Sequence, residues 1–151
     1  PTWGVDRSVL VAMLEAYREE KVKSEDGEGG MRTVMRFPNW LAPVKVAILP
    51  LSKKPNLSKV AQKIHKELAE KFVCEYDETQ SIGKRYRRQD EIGTPYCVTV
   101  DFETLGDPSA GSGQAAKKLK DTVTVRDRDT MKQKRVTIAK LAEYLGKQLD
   151  K

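Results

Sequence analysis

Apolar residues recur at helical spacing near the start of the chain, at Val9, Leu10, Met13, Leu14 and Tyr17. That spacing predicts a helix over 7–20, with Asp6 placed to cap it. Residues 21–30 are charged and glycine-rich, with Val22 their one apolar residue, which predicts a loop or linker. A proline-bounded apolar connector follows over 37–43. The pattern then changes to a short apolar run at 44–51, long enough for a buried strand and marked at its end by Pro50. Leu57, Val60, Ala61, Ile64, Leu68 and Phe72 form one apolar helical face. A strand is expected at 72–76. Ser81 is placed to cap a helix running to Ile92, stopped by Gly93 and Pro95. Residues 96–102 alternate enough for a half-buried strand, and 106–116 read as a small, polar surface loop. A hairpin is predicted from 122–126 and 134–138 around 127–130. Ile138, Leu141, Ala142, Leu145 and Leu149 form a last amphipathic helix. The order implies an α/β fold: a mixed, mostly parallel sheet of about five strands, flanked by about three helices and preceded by an extra N-terminal helix.

Composition narrows the class. The 151 residues are 38% hydrophobic and 33% charged, which suits one domain with a large solvated surface, burying roughly two-thirds of its unfolded area. No apolar run approaches the ~20 residues needed to cross a bilayer, and no signal peptide is visible. The chain starts at Pro1, so a piece of a longer protein is expected. A net charge of +6 and a pI near 9.3 favour a polyanionic partner such as nucleic acid; surface lysines kept for solubility are the other reading. Cys74 and Cys97 are isolated, each within a strand-like run and without a C-x-x-C partner. They read as buried, reduced cysteines of a cytosolic protein, not as a metal site or redox pair. His65 is the only histidine, too few for a two-histidine metal site or a Ser/His/Asp triad. There is no P-loop, and the glycines at 106–113 do not sit between a strand and a helix start. No catalytic constellation is complete within the chain.

Two segments carry more specific chemistry. Residues 81–93 read S-I-G-K-R-Y-R-R-Q-D-E-I-G, and Lys84, Arg85, Arg87 and Arg88 crowd one short helical stretch. Lys84 and Arg88 share a face, as do Arg85 and Arg88. Like charges so placed repel, so helix stability gives no reason for them. Either Asp90 and Glu91 pair with the arginines internally, or a phosphate backbone meets them. Residues 122–133 read T-V-T-V-R-D-R-D-T-M-K-Q. Arg and Asp alternating at a hairpin tip can pair across strands, while Arg126, Arg128 and Gln133 are also good donors to bases and phosphates.

Together these segments resemble class II glycyl-tRNA synthetases. The first, running on through 94–102, is close to that family's S-I-G-R-R-Y-x-R-x-D-E-I-G signature, and 121–133 matches its T-V-T-x-R-D-R-D-x-M-x-Q block. The opening Pro1-Thr2-Trp3-Gly4-Val5-Asp6-Arg7 is similar to motif 3 of class II synthetases. The resemblance implies the end of a catalytic domain at 1–20, a linker at 21–42, and a class II anticodon-binding fold at 43–151. It assigns Gly4 and Arg7 to ATP binding. It assigns Arg85, Arg88, Asp90, Glu91, Arg126, Arg128 and Gln133 to the anticodon, whose cytosines present amines that carboxylates accept. In the family the whole enzyme is a cytoplasmic homodimer that uses ATP and Mg2+ to activate glycine and transfers it to glycine tRNA. Motifs 1 and 2 are missing here, so this piece is expected to be inactive alone, to need no cofactor or metal and to touch no membrane. Lys84 stands where arginine is usual and loses the planar, bidentate fork. Two other classes fit less of the chain. One is a non-catalytic tRNA- or RNA-binding module, or accessory subunit, reusing the fold. The other is a small flavodoxin-like or Rossmann-like enzyme.

Overall fold

A computed structural model of the chain describes residues 2–22, 30–106 and 119–150. The apolar run from Val46 to Pro50 forms strand β3, buried at every position. Successive side chains of a strand point to opposite faces, and that alternation splits the core in two. Val46 and Ile48 face the larger cluster, with Leu57, Ala61, Ile64 and Leu68 of helix α2 (Pro55–Ala69) and Leu141 and Leu145 of helix α4 (Ile138–Leu149). Ala47 and Leu49 face the other side, where Ile82 and Tyr86 of helix α3 (Ile82–Ile92) pack. Burying each of these leucine or isoleucine side chains contributes about 1.5–3 kcal/mol.

The main sheet has the order β4-β3-β5-β6-β7, with β4 at Cys74–Tyr76, β5 at Tyr96–Val100, β6 at Thr122–Asp127 and β7 at Gln133–Thr137. Strand β3 pairs parallel with β4 and β5, and the β5–β6 and β6–β7 pairs are antiparallel. Four strands therefore run one way and β6 alone runs the other, the mixed and mostly parallel arrangement expected. Strand β5 is buried throughout, not half buried as its alternation suggests. It is the middle strand with a helix layer on each face, the situation in which both sides of a strand are covered.

The N-terminal segment differs most from expectation. Helix α1 (Val5–Ala16) ends early, and Tyr17–Val22 is strand β1, paired antiparallel with β2 (Gly30–Met35) from Tyr17↔Met35 to Val22↔Gly30. Residues 18–21 carry no apolar side chain that a further helical turn would bury, so the ladder to β2 satisfies their backbone instead. Gly4, not Asp6, holds the N-cap position of α1, and Asp6 lies in the first turn, where a negative charge suits the helix dipole. Ser81 does occupy the N-cap of α3, with no side-chain bond to the helix. Of the predicted loop at 106–116, residues 107–116 lie outside the described residues.

Gly93 ends α3 at φ +89, in the left-handed region. A Cβ there would stand 2.7 Å from the Phe37 ring and 2.8 Å from the Met35 carbonyl oxygen. The position therefore needs glycine for both its backbone and its space. Among the described residues no helix is long and apolar enough to cross a membrane.

A candidate nucleic-acid interface

Helix α3 distributes its cations by direction. Arg85 points inward and is 2% exposed. Its Nη1 donates to the carbonyls of Pro50 at 2.6 Å and Asp77 at 3.1 Å, and its Nη2 to that of Leu51 at 3.3 Å. It thus satisfies carbonyls where β3 and β4 end. Burial lowers the Arg85 pKa, with the Asp77 charge acting the other way. Arg88 is partly exposed and donates to the Asp77 carboxylate and, at 2.9 Å, to the Thr79 carbonyl. Burial alone would raise the Asp77 pKa, but hydrogen bonds from the Thr79 hydroxyl and N–H, joined by Arg88, hold it below its usual value. Lys84 and Arg87 are exposed.

Asp90 is the centre of a buried ion network. Arg126 on β6 grips it with both terminal nitrogens, at 2.8 Å and 3.0 Å, and Nε of Arg32 on β2 stands 2.9 Å from Oδ2. Asp90 is therefore paired with other elements, not with the arginines of its own helix. Burial disfavours the Arg126 charge, but the Asp90 carboxylate outweighs that and raises the Arg126 pKa. The Arg126 guanidinium also lies 4.8 Å from the centre of the Tyr86 ring, within cation–π range. Glu20 completes the group, 2.5 Å from Arg36 and 3.6 Å from Arg32.

Arg128 is 3% exposed. It donates to the Asp129 carboxylate through Nε and Nη2, to the Gly93 carbonyl through Nη1 and to the Phe37 carbonyl through Nη2. Its own carbonyl accepts from Arg32. Burial would raise the Asp129 pKa, and the Arg128 cation more than reverses it. Gln133 pairs with Arg126 in the β6–β7 register and is exposed.

A cleft of about 180 Å³ opens over this network. Arg32, Tyr86, Asp90 and Arg126 line its depth, and Gly83, Arg87, Met31 and Met131 its rim. The structure thus brings Asp90 and Arg126 together as its floor. Glu91 faces elsewhere, into an apolar groove of about 630 Å³ with Trp3, Val9, Met13 and Phe37. Gly4 and Arg7 sit at the start of α1, and Arg7 is exposed with no carboxylate paired to it among the described residues. Arg32, Met31 and Gly30 lie at the cleft although their stretch reads as a linker; the apolar residues Met31, Val34 and Met35 do not alternate and so do not announce a strand. Cys97 is buried, its pKa pushed up to about 12, and Cys74 is half buried with its pKa pushed to about 11, each chiefly by burial; both thiols are free. Neither is a poised nucleophile.

The family model of the anticodon binding domain matches residues 45–148, from the start of β3 to the end of α4. The chain belongs to the anticodon binding domain family. Among its relatives is a glycine–tRNA ligase of Ruminiclostridium cellulolyticum, 54% identical over 144 residues, covering 95% of this chain and 27% of that protein. A second, from Acetivibrio thermocellus, is 51% identical over 150 residues, covering 99% of this chain and 28% of that one. The chain therefore spans little more than a quarter of these relatives. Its fold is also that of the RNA binding domain of threonyl-tRNA synthetase from Cryptosporidium parvum Iowa II. There the TM-score is 0.59 at 22% identity, covering 74% of this chain and 25% of that one. The anticodon binding domain assignment agrees with the resemblance read from the motifs at 81–102 and 121–133.

Proposed function

We propose that this chain is the anticodon-reading part of a glycine–tRNA ligase, with residues 43–151 binding the anticodon loop of a glycine tRNA. The observation that carries the proposal is the cleft beside α3. Its floor is the Asp90–Arg126 pair, and Lys84, Arg87 and Arg88 lie along the same helix. Exposed cations position an RNA backbone, and splayed bases are read on their edges. In this reading Arg88 and Gln133, which reach solvent, meet the RNA directly, while Glu91, expected at the anticodon, lies off the cleft on the side of the apolar groove. Arg85, Asp90, Arg126 and Arg128 hold the surface in shape, with Asp90 and Arg126 also presenting polar atoms at the depth of the cleft.

Residues 1–20 then belong to the end of a catalytic domain, joined to the anticodon-binding domain through 21–42. Arg7, exposed on the first turn of α1 and without an acidic partner among the described residues, would meet an ATP phosphate beside Gly4. In the whole enzyme ATP and Mg2+ supply the activation of glycine, the active form is a homodimer, and the compartment is the cytoplasm.

The test is binding of this chain to a glycine tRNA and to the same tRNA with its middle anticodon base changed, each at two salt concentrations. Phosphate contacts alone give salt-dependent but unselective binding. Preference for the unchanged anticodon supports the reading function. Equal affinity for both tRNAs refutes base reading by this chain, and absence of binding refutes its RNA role.

A further inference from the structure

Among the described residues the β1–β2 ribbon is a sheet of its own, with no ladder to the main sheet. A two-stranded ribbon is marginal by itself, and α1 before it leaves Val9, Leu10 and Leu14 more than half exposed. The three elements form an arm, closed at its base by the bond from the Arg36 N–H to the Ala16 carbonyl at 2.7 Å. Ala16 and Val34 are buried. Burial holds surfaces together without fixing the angle between them, because the hydrophobic effect has no direction. Direction has to come from polar contacts.

Those contacts converge on Arg128. Its guanidinium donates to the Phe37 carbonyl, where the arm meets the connector, at 2.9 Å, and to the Gly93 carbonyl, at the end of α3, at 2.8 Å. The Asp129 carboxylate takes Nε and a second hydrogen of Nη2, at 2.8 Å and 2.9 Å. Four of its five N–H groups are therefore used inside the protein. The backbone of the same residue also spans the junction. Its N–H donates to the Pro95 carbonyl at 2.9 Å, and its carbonyl accepts from Arg32 on β2. The two sides of this junction lie so close that a Cβ at Gly93 would stand 2.7 Å from the Phe37 ring. At 3% exposure, Arg128 has little surface left for an RNA phosphate.

We propose that Arg128 is a positioning residue that fixes the angle between the α1–β1–β2 arm and the end of α3. The inference rests on the reading above, in which the arm ends a catalytic domain and α3 borders the RNA cleft. On that reading, the angle sets where a bound tRNA stands relative to the site of glycyl transfer. A lysine here would keep the charge but lose the planar fork that grips two carbonyls and a carboxylate together.

The experiment uses the whole ligase with Arg128→Met, Arg128→Lys and Asp129→Asn. Hydrogen–deuterium exchange follows the amides of β2, and steady-state kinetics follow glycyl-tRNA formation, with turnover counted per site that forms glycyl-adenylate. In both Arg128 variants the β2 amides should exchange faster by about tenfold or more, as for local opening, while those of β3 and β5 keep parent rates. The kcat should fall by about tenfold to a hundredfold, the scale of a ~1 Å misplacement, with KM for tRNA near the parent's. Asp129→Asn loosens the fork without removing it; it should show the same pattern more weakly, and it carries the test if an Arg128 variant fails to fold. A KM raised about tenfold at unchanged kcat in Arg128→Met, and restored in Arg128→Lys, would make Arg128 a phosphate contact and overturn the proposal. Parent-like β2 exchange in all three variants would overturn it as well. A parent that forms no glycyl-tRNA removes the functional reading, and β2 exchange then decides alone whether Arg128 clamps the arm.

Discussion

Replacing Asp90 with asparagine keeps the side chain's size and removes its charge, so the change isolates the electrostatics of the network under the cleft. Asp90 is 2% exposed and Arg126 and Arg32 are each 7% exposed, so water is poorly placed to compensate. The parent carboxylate accepts both terminal nitrogens of Arg126 and lies 2.9 Å from Arg32 Nε. An amide offers one oxygen and turns an N–H2 group toward one of the guanidiniums. Removing one partner of a buried ion pair costs about 3–5 kcal/mol, because the remaining charge stays buried and unpaired. A domain of ordinary stability has only about 5–15 kcal/mol in total. At roughly 2–4 °C per kcal/mol for a chain of this length, the melting temperature should fall by about 6–20 °C. Calorimetry and denaturant titration of Asp90→Asn measure this directly. Adding Arg126→Met to the same chain should recover part of the loss, because the stranded cation is then gone. A loss below about 1 kcal/mol in Asp90→Asn, or no recovery in the double variant, would refute the claim that this network holds β2, α3 and β6 together.

Three further outcomes are expected. Asp77 has a lowered pKa in the folded state, so its stabilisation is present above its unfolded value of about 3.9 and is lost as pH falls through the lower folded value. Denaturant titrations should therefore find Asp77→Asn less stable than the parent near neutral pH, with the gap closing in acid; a gap independent of pH would exclude the linkage. Arg88→Ala should weaken glycine tRNA binding by about 1–3 kcal/mol while near-ultraviolet circular dichroism stays that of the folded parent, and unchanged affinity would remove Arg88 from the RNA surface. Val9, Leu10 and Leu14 of α1 are 52%, 57% and 66% exposed, so the isolated chain should self-associate as its concentration rises. Leu10→Glu should suppress that in sedimentation without lowering the melting temperature by more than the ~0.5 kcal/mol equivalent of an ordinary surface change, and equal association by both proteins would argue that α1 is not the sticky face.

Elements that bury an uninterrupted or strictly periodic apolar set were legible from residues alone. The run at 46–50, the α2 face from Leu57 to Leu68 and the α4 face at Leu141 and Leu145 belong to this group, because each announces its partner layer by its own spacing. Strand β1 was not legible. Its residues are mostly charged, and what makes them extended is a ladder to β2, a partner that local spacing does not reveal. The cations were legible as a group but not in their directions. Arg85, Arg87 and Arg88 look alike in the chain, yet one turns into carbonyls at the strand ends, one faces solvent and one leans on Asp77. Arg32 escaped notice because its acceptor, Asp90, is far away in sequence and only the fold brings them together.

Arg128 has a consequence for how the chain is made. Its guanidinium reaches the Phe37 carbonyl and its own carbonyl accepts from Arg32, residues separated from it by 91 and 96 positions. At roughly 5–20 residues per second of synthesis, the β1–β2 ribbon must wait on the order of 5–20 seconds before the residues that fasten it emerge. Asp90 follows Arg32 by 58 positions and emerges first, so Arg32 waits for its carboxylate and then longer for the Arg128 carbonyl. The ribbon is thus translated before the main sheet and is among the last elements to be secured.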